Sequence, residues 1–187
     1  MQRTPHDFWR FSLRVYRAGG VESACLALQD GCGADVNLLL FCGWLAGRGW
    51  SLDRRRLRQA MARVGAWQSE VVVPLRAARR AHKRLAADAA AAHAPHDGAP
   101  SLHQRLLALE LDLEYAEQSM LVALAASWPA PARTLPCAAA ARASLERYLQ
   151  LLEGGPETDA APALARLVAA FADAGPTASA GRPADAS

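Results

Sequence analysis

The chain has 187 residues and a net charge of +3, with 43 alanines, 26 leucines and 20 arginines against a single lysine. Isoleucine is absent and valine and threonine are scarce, so the pleated faces of a sheet cannot be furnished. Sandwiches, barrels and doubly wound folds are therefore excluded; the expectation is an all-α irregular bundle of six to eight helices over residues 1–172, followed by a disordered Ala/Pro/Gly/Ser tail over 173–187.

Thr4-Pro5-His6-Asp7 predicts a helix start, with Thr4 as the cap and Pro5 at the first helical position. That helix carries two apolar stripes, Trp9, Leu13 and Tyr16 beside Phe8, Phe11 and Val15, and ends at Gly19-Gly20. A second helix over about 21–30 turns Cys25 and Leu28 inward. Asp35 then caps a third, Val36 to Ala46, which is apolar nearly all round and must be central.

Ser51 is the expected cap of a fourth helix running to about Val64, with Arg54, Arg55, Arg56, Arg58 and Arg63 opposite Leu57, Ala60, Met61 and Val64. A fifth spans about 66–88 and must kink or divide at Pro74, whose ring clashes with the preceding turn. Residues 89–100 read as a linker. Ser101 and Gln104 form a capping box for a long sixth helix to about Ser127, where Leu106, Leu109, Leu113, Ala116, Met120 and Leu124 recur at helical spacing. A seventh helix over about 138–153 and an eighth over about 160–172 complete the set; the eighth presents Leu164, Leu167, Val168 and Phe171.

Charge is unevenly placed: residues 1–47 balance, residues 48–84 carry +9 and residues 85–187 carry −6. The basic middle could meet an acidic protein partner, nucleic acid, or the acidic sixth helix of its own chain in an antiparallel hairpin. Arg54, Arg55, Arg58, Arg79, Lys83 and Arg84 make up the candidate anion or partner face. Nucleic acid is not favoured, because no DNA-binding module is evident. No run is long enough to span a membrane, and no secretory signal interrupts a cytoplasmic reading; the four cysteines form no CxxC pair and read as core residues.

The densest polar feature is the turn containing Gln29, Asp30, Gly31, Gly33, Asp35 and Asn37. It reads either as helix punctuation, with Asp35 capping, or as one side of a polar pocket. In the pocket version Gln29, Asp30, Asp35 and Asn37 face Trp67, Glu70, Arg76 and Arg80 of the fifth helix, and the arginines hold an anionic metabolite or a catalytic acid. A prenyl-transfer site is rejected, since Glu110, Asp112, Glu114 and Glu117 are taken to lie on divergent faces and offer no second acid cluster. No nucleophile elbow, phosphate loop or HExxH occurs, and His93, His96 and Asp97 in the linker lack rigid support as metal ligands. No metal site or cofactor is expected.

Phe8-Trp9-x-Phe11-Ser12-Leu13-x-Val15-Tyr16, Ala24-Cys25-Leu26-x-Leu28-Gln29-Asp30, Gly33-x-Asp35-Val36-Asn37-Leu38-Leu39-Leu40-Phe41 and Val72-x-Pro74-Leu75-Arg76-x-x-Arg79-Arg80 follow one another in order. With Trp44-Leu45 and Trp67, they resemble a family of short proteobacterial proteins defined by a domain of unknown function, over about residues 7–125. The resemblance implies a helical cytoplasmic bacterial protein and brings no activity, ligand or catalytic residue. The residues themselves favour a non-enzymatic interaction module presenting an arginine-rich face, or self-associating, with the small-molecule pocket as the alternative.

Overall fold

The computed structural model describes residues 6–88, 101–132, 134–152 and 160–175; the expected linker, most of the tail, Thr4, Pro5 and the end of the seventh predicted helix lie outside them. Among the described residues there are eight α-helices and no strand: α1 Asp7–Tyr16, α2 Val21–Cys32, α3 Val36–Ala46, α4 Arg54–Trp67, α5 Val73–Asp88, α6 Leu102–Ala126, α7 Cys137–Leu149 and α8 Ala160–Asp173. A π-helical turn, Gln68–Val72, joins α4 and α5 into one rod. It precedes Pro74, so the expected division takes the form of a widened turn.

The core is built around α3, in which every residue from Asn37 to Ala46 is buried. Asp35 starts it as expected, its Oδ1 accepting from the Asn37 N–H at 2.8 Å and the Leu38 N–H at 3.4 Å. α1, α2, α6, α7 and α8 all pack on α3. α1 contributes Phe8, Phe11 and Val15 to the core, with Phe8 against both Phe41 and Trp44. α7 fastens two helix starts: Tyr148 Oη accepts from the Asp35 N–H at 2.8 Å, and Ser144 Oγ from the Leu52 N–H at 2.9 Å.

Several local expectations are corrected. The first helix is capped by His6, whose Nδ1 accepts from the Trp9 N–H. The fourth is capped by Asp53, whose Oδ1 accepts from the Arg56 N–H at 2.7 Å, while Ser51 accepts from Arg147 instead. α7 stops at Leu149, short of the Glu153 expected. Arg56 belongs to the inner side of α4: it is buried, its guanidinium lies near the rings of Trp50 and Trp128, and it donates to the Pro129 carbonyl at 2.8 Å.

The largest correction concerns α6. Its apolar stripe is only partly turned inward: Met120 and Leu124 pack against the core while Leu109 is about half exposed, and the fully buried side carries Glu110, Glu117, Gln118, Leu121 and Ala125. Glu110, Glu114 and Glu117 share one helical face at four- and three-residue spacing, and only Asp112 diverges.

α8 closes the core by pressing Phe171 onto α3 at Gly43, where an added Cβ would lie 2.6 Å from the ring. Ala in place of Gly adds about 1 kcal/mol of helix propensity, but displacing a packed ring costs about 1–3 kcal/mol. Gly43→Ala is therefore expected to lower the thermal midpoint with helical content unchanged. A midpoint equal to or above that of the parent would show that Phe171 is not held there.

Candidate functional site

Of the α1 stripe formed by Trp9, Leu13 and Tyr16, only Tyr16 packs against the core. Trp9, Leu13 and Tyr16 form one wall of a cleft of about 510 Å³, completed by α2, the start of α3, α5 and α6. Leu26, Val36, Leu40, Leu107 and Leu111 make the remaining apolar lining. Leu13, Leu26, Leu107 and Leu111 are each exposed by about two-fifths to one-half, so the apolar rim meets solvent. A volume of this size matches small-molecule sites, which are mostly apolar with a few placed polar groups.

The paired charges of the cleft come from α5 and α6, while Ser12, Arg17, Glu22, Gln29 and Asn37 add polar groups from α1 and its C-cap, α2 and α3. Arg76 Nε donates to Glu110 Oε1 at 3.0 Å, Arg76 Nη2 donates to Glu114 Oε1 at 2.6 Å, and Arg79 Nε donates to Glu110 Oε2. This is the charge-opposed antiparallel pairing of the basic and acidic helices. Burial alone would lower the Arg76 pKa, but the bonds and charges of Glu114 and Glu110 outweigh it and raise it. Glu114 is also raised, because burial outweighs Arg76. The first rise favours the charged form of Arg76 and the second the neutral form of Glu114, because one guanidinium serves two carboxylates and the Glu110 charge adds to the penalty on Glu114. Arg17 and Arg80, also on the cleft, are exposed and make no ion pair among the described residues.

Beneath the cleft lies a buried polar chain. Ser12 Oγ donates to Gln118 Oε1 at 3.3 Å, and Gln118 Nε2 donates to Asn37 Oδ1 at 2.8 Å. Glu117 follows, with no exposed surface. Its Oε2 accepts from Gln68 Nε2 at 3.2 Å, whereas Oε1 has no hydrogen-bond partner. Burial, then the neighbouring Asp35 charge, raises the Glu117 pKa well above its ordinary value, and the Asn37 amide offsets only part of this. Protonation of Glu117 would turn the unpartnered oxygen into a donor, with Asp35 as its neighbouring acceptor.

Of the eight pocket residues expected, Gln29, Asn37, Arg76 and Arg80 line the cleft, and Arg79 joins them from the proposed partner face. Asp35 caps α3 and touches the site through Glu117. Asp30 and Glu70 are exposed and outside the cleft lining, while Trp67 donates its Nε1–H to the Leu113 carbonyl at 3.2 Å. Arg54, Arg55, Arg58, Lys83 and Arg84 are exposed elsewhere, with Arg54 bonded to Gln150. Ser12, Gln68, Glu110, Glu114, Glu117 and Gln118 were not among the candidates. The signal available was the recurrence of acids and an amide along one face of α6, from Glu110 to Gln118. Among the described residues, no group of three or more His, Cys, Asp or Glu could hold a metal ion; His93, His96 and Asp97 are not among them.

The described residues thus define an all-helical protein with an amphipathic cleft and no helix long and apolar enough to cross a membrane. The family model described as "Protein of unknown function (DUF2390)" matches residues 7–121, well over half the chain, and the chain belongs to that family. Curated proteins and solved structures give no match. The matched span holds every residue of the cleft, whereas α7 and α8 lie beyond it.

Because the folded chain holds a Glu117 proton that the unfolded chain releases above the ordinary carboxylate value of 4.5, stability falls as pH rises through and above that point. Glu117→Gln, which keeps the shape and cannot ionise, is expected to flatten the decline in denaturation midpoint between about pH 5 and about pH 8. An unaltered slope in the variant would place the proton elsewhere.

Proposed function

We propose that the cleft binds a small amphipathic anion, its acidic group at Arg17 and Arg80 and its apolar body along Leu13, Leu26, Leu107 and Leu111. The observation that carries this is the pair of arginines left without carboxylate partners beside a half-exposed apolar rim, while Arg76 and Arg79 are already engaged by Glu110 and Glu114. Arginine suits both carboxylate and phosphate, and its charge is permanent. The engaged pair then acts as a fixed wall, and selectivity for negative charge comes from the rim, where Arg17 and Arg80 outnumber the single exposed carboxylate, Glu22. The four free thiols, two of them fully buried, support the reducing cytoplasmic setting of a bacterial protein that the family resemblance implies.

Trp9 in the cleft wall provides a reporter. Decanoate and decyl phosphate, used below their micelle thresholds, are expected to change its emission, and the two together separate carboxylate from phosphate preference. Decylamine is expected to bind far more weakly. Arg80→Gln should weaken anion binding about fivefold to tenfold, as for loss of one rim charge pair, with the effect shrinking as salt increases. Equal binding of decanoate, decanol and decylamine, or an Arg80→Gln variant identical to the parent, would defeat the proposal.

The cations of α4 support a second role. Arg55 and Arg58 are exposed and make no ion pair among the described residues, and they fit an acidic protein surface. Retention on immobilised poly-glutamate that is lost at moderate salt and in Arg55→Glu/Arg58→Glu would sustain it. Equal retention of the double variant, or capture by duplex DNA alone, would remove it.

A further inference from the structure

The buried chain under the cleft has a direction, and that direction constrains the ligand. The geometry points to Ser12 Oγ as a fixed hydrogen-bond acceptor on the cleft floor, so that the ligand brings an O–H or N–H donor on its apolar body in addition to its acidic group. This rests on the cleft being a small-ligand site.

Polarity is set at the far end. The Asp35 carboxylate already accepts two α3 N–H groups through Oδ1, and it faces Glu117, whose Oε1 lacks any donor. Two facing acceptors need a proton between them, and Glu117, with no exposed surface, carries it toward Asp35. Asn37 uses Oδ1 to accept from Gln118 Nε2 at 2.8 Å, which turns its NH₂ group to the Glu117 side. Gln118 has then spent its NH₂ group on Asn37, so its Oε1 takes the hydroxyl proton of Ser12 at 3.3 Å.

Ser12 has one proton, and that proton points inward. Its lone pairs remain, Ser12 lines the cleft, and no described donor reaches them. Reversing the chain would flip both carboxamides and direct the Glu117 proton to Asn37. It would also leave Asp35 facing an unprotonated oxygen. A hydrogen bond to a charged acceptor is about twice as strong as a neutral one, so the Asp35 end holds the direction. Sites whose buried polar groups expect a partner discriminate strongly against ligands lacking it.

Binding of decanoate by the full chain is the reference, set against the positional series of hydroxydecanoates and their methyl ethers. One hydroxy isomer is expected to bind about tenfold tighter than decanoate, as for one added neutral hydrogen bond in a dry site, and its methyl ether should lose that gain. Ser12→Ala should erase the difference between hydroxydecanoate and decanoate, read as the ratio of the two affinities within the variant. Glu117→Gln, whose amide can donate to Asp35 and accept from Asn37, should keep the preference. If decanoate binds but no isomer gains, or the ether equals the alcohol, or Glu117→Gln binds decanoate without the preference, the inference is overturned and the anion cleft stands. If neither decanoate nor decyl phosphate binds, the cleft proposal fails and this one with it.

Discussion

Everything in this molecule answers to α3. A helix buried on all sides has no solvent face to set its orientation, so its neighbours must supply a complete apolar sleeve and its first turn must be satisfied inside the protein. The sleeve is made by α1, α2, α6, α7 and α8. The first turn is satisfied by Asp35. That carboxylate, brought inward with the helix it starts, obliges the surroundings to accommodate charge, and Glu117, Asn37, Gln118 and Gln68 gather about it. The cleft lies over this polar insertion in an otherwise apolar interior. Structural necessity at one helix terminus and the candidate binding site are thus two aspects of one arrangement.

The inner sheath extends past the family-matched residues. Tyr148, Ser144 and Phe171 secure the starts of α3 and α4 and the middle of α3, although all three lie after residue 121. The cleft lies within the matched span. α7 and α8 therefore complete the scaffold from beyond the matched span, while the lining of the cleft lies wholly within it.

Much of the fold was legible because it rests on short-range chemistry. The Ser101–Gln104 box, the Asp35 cap and the apolar run Leu38–Phe41 each announce themselves within one helical turn. The site was half legible. Gln29, Asn37, Arg76 and Arg80 were found from local polarity, but Ser12, Glu117 and Gln118 were not, because a polar residue within an amphipathic helix reads as solvent-facing unless its neighbours are known. Apolar spacing on α6 misled in part for the same reason: Met120 and Leu124 do reach the core, but Leu109 keeps the helical period on the exposed side, where Glu110 is instead turned inward by its pairs with Arg76 and Arg79. Ser51 and Asp53 are both competent caps two residues apart, and the competition was settled by Arg147, which occupies the serine.

The widened turn between α4 and α5 works as a phase adjuster. It holds one residue more than a regular helix would need, and in a helix of 3.6 residues per turn one residue corresponds to about 100° of rotation. Losing a single position there would restore an uninterrupted α-helix and swing the whole cationic rod by more than a quarter turn. Arg76 and Arg79 would swing away from Glu110, and Arg80 away from the cavity mouth, with no change to any contacting residue. The length of this five-residue collar thus fixes which cations of the rod face α6 and the cavity mouth.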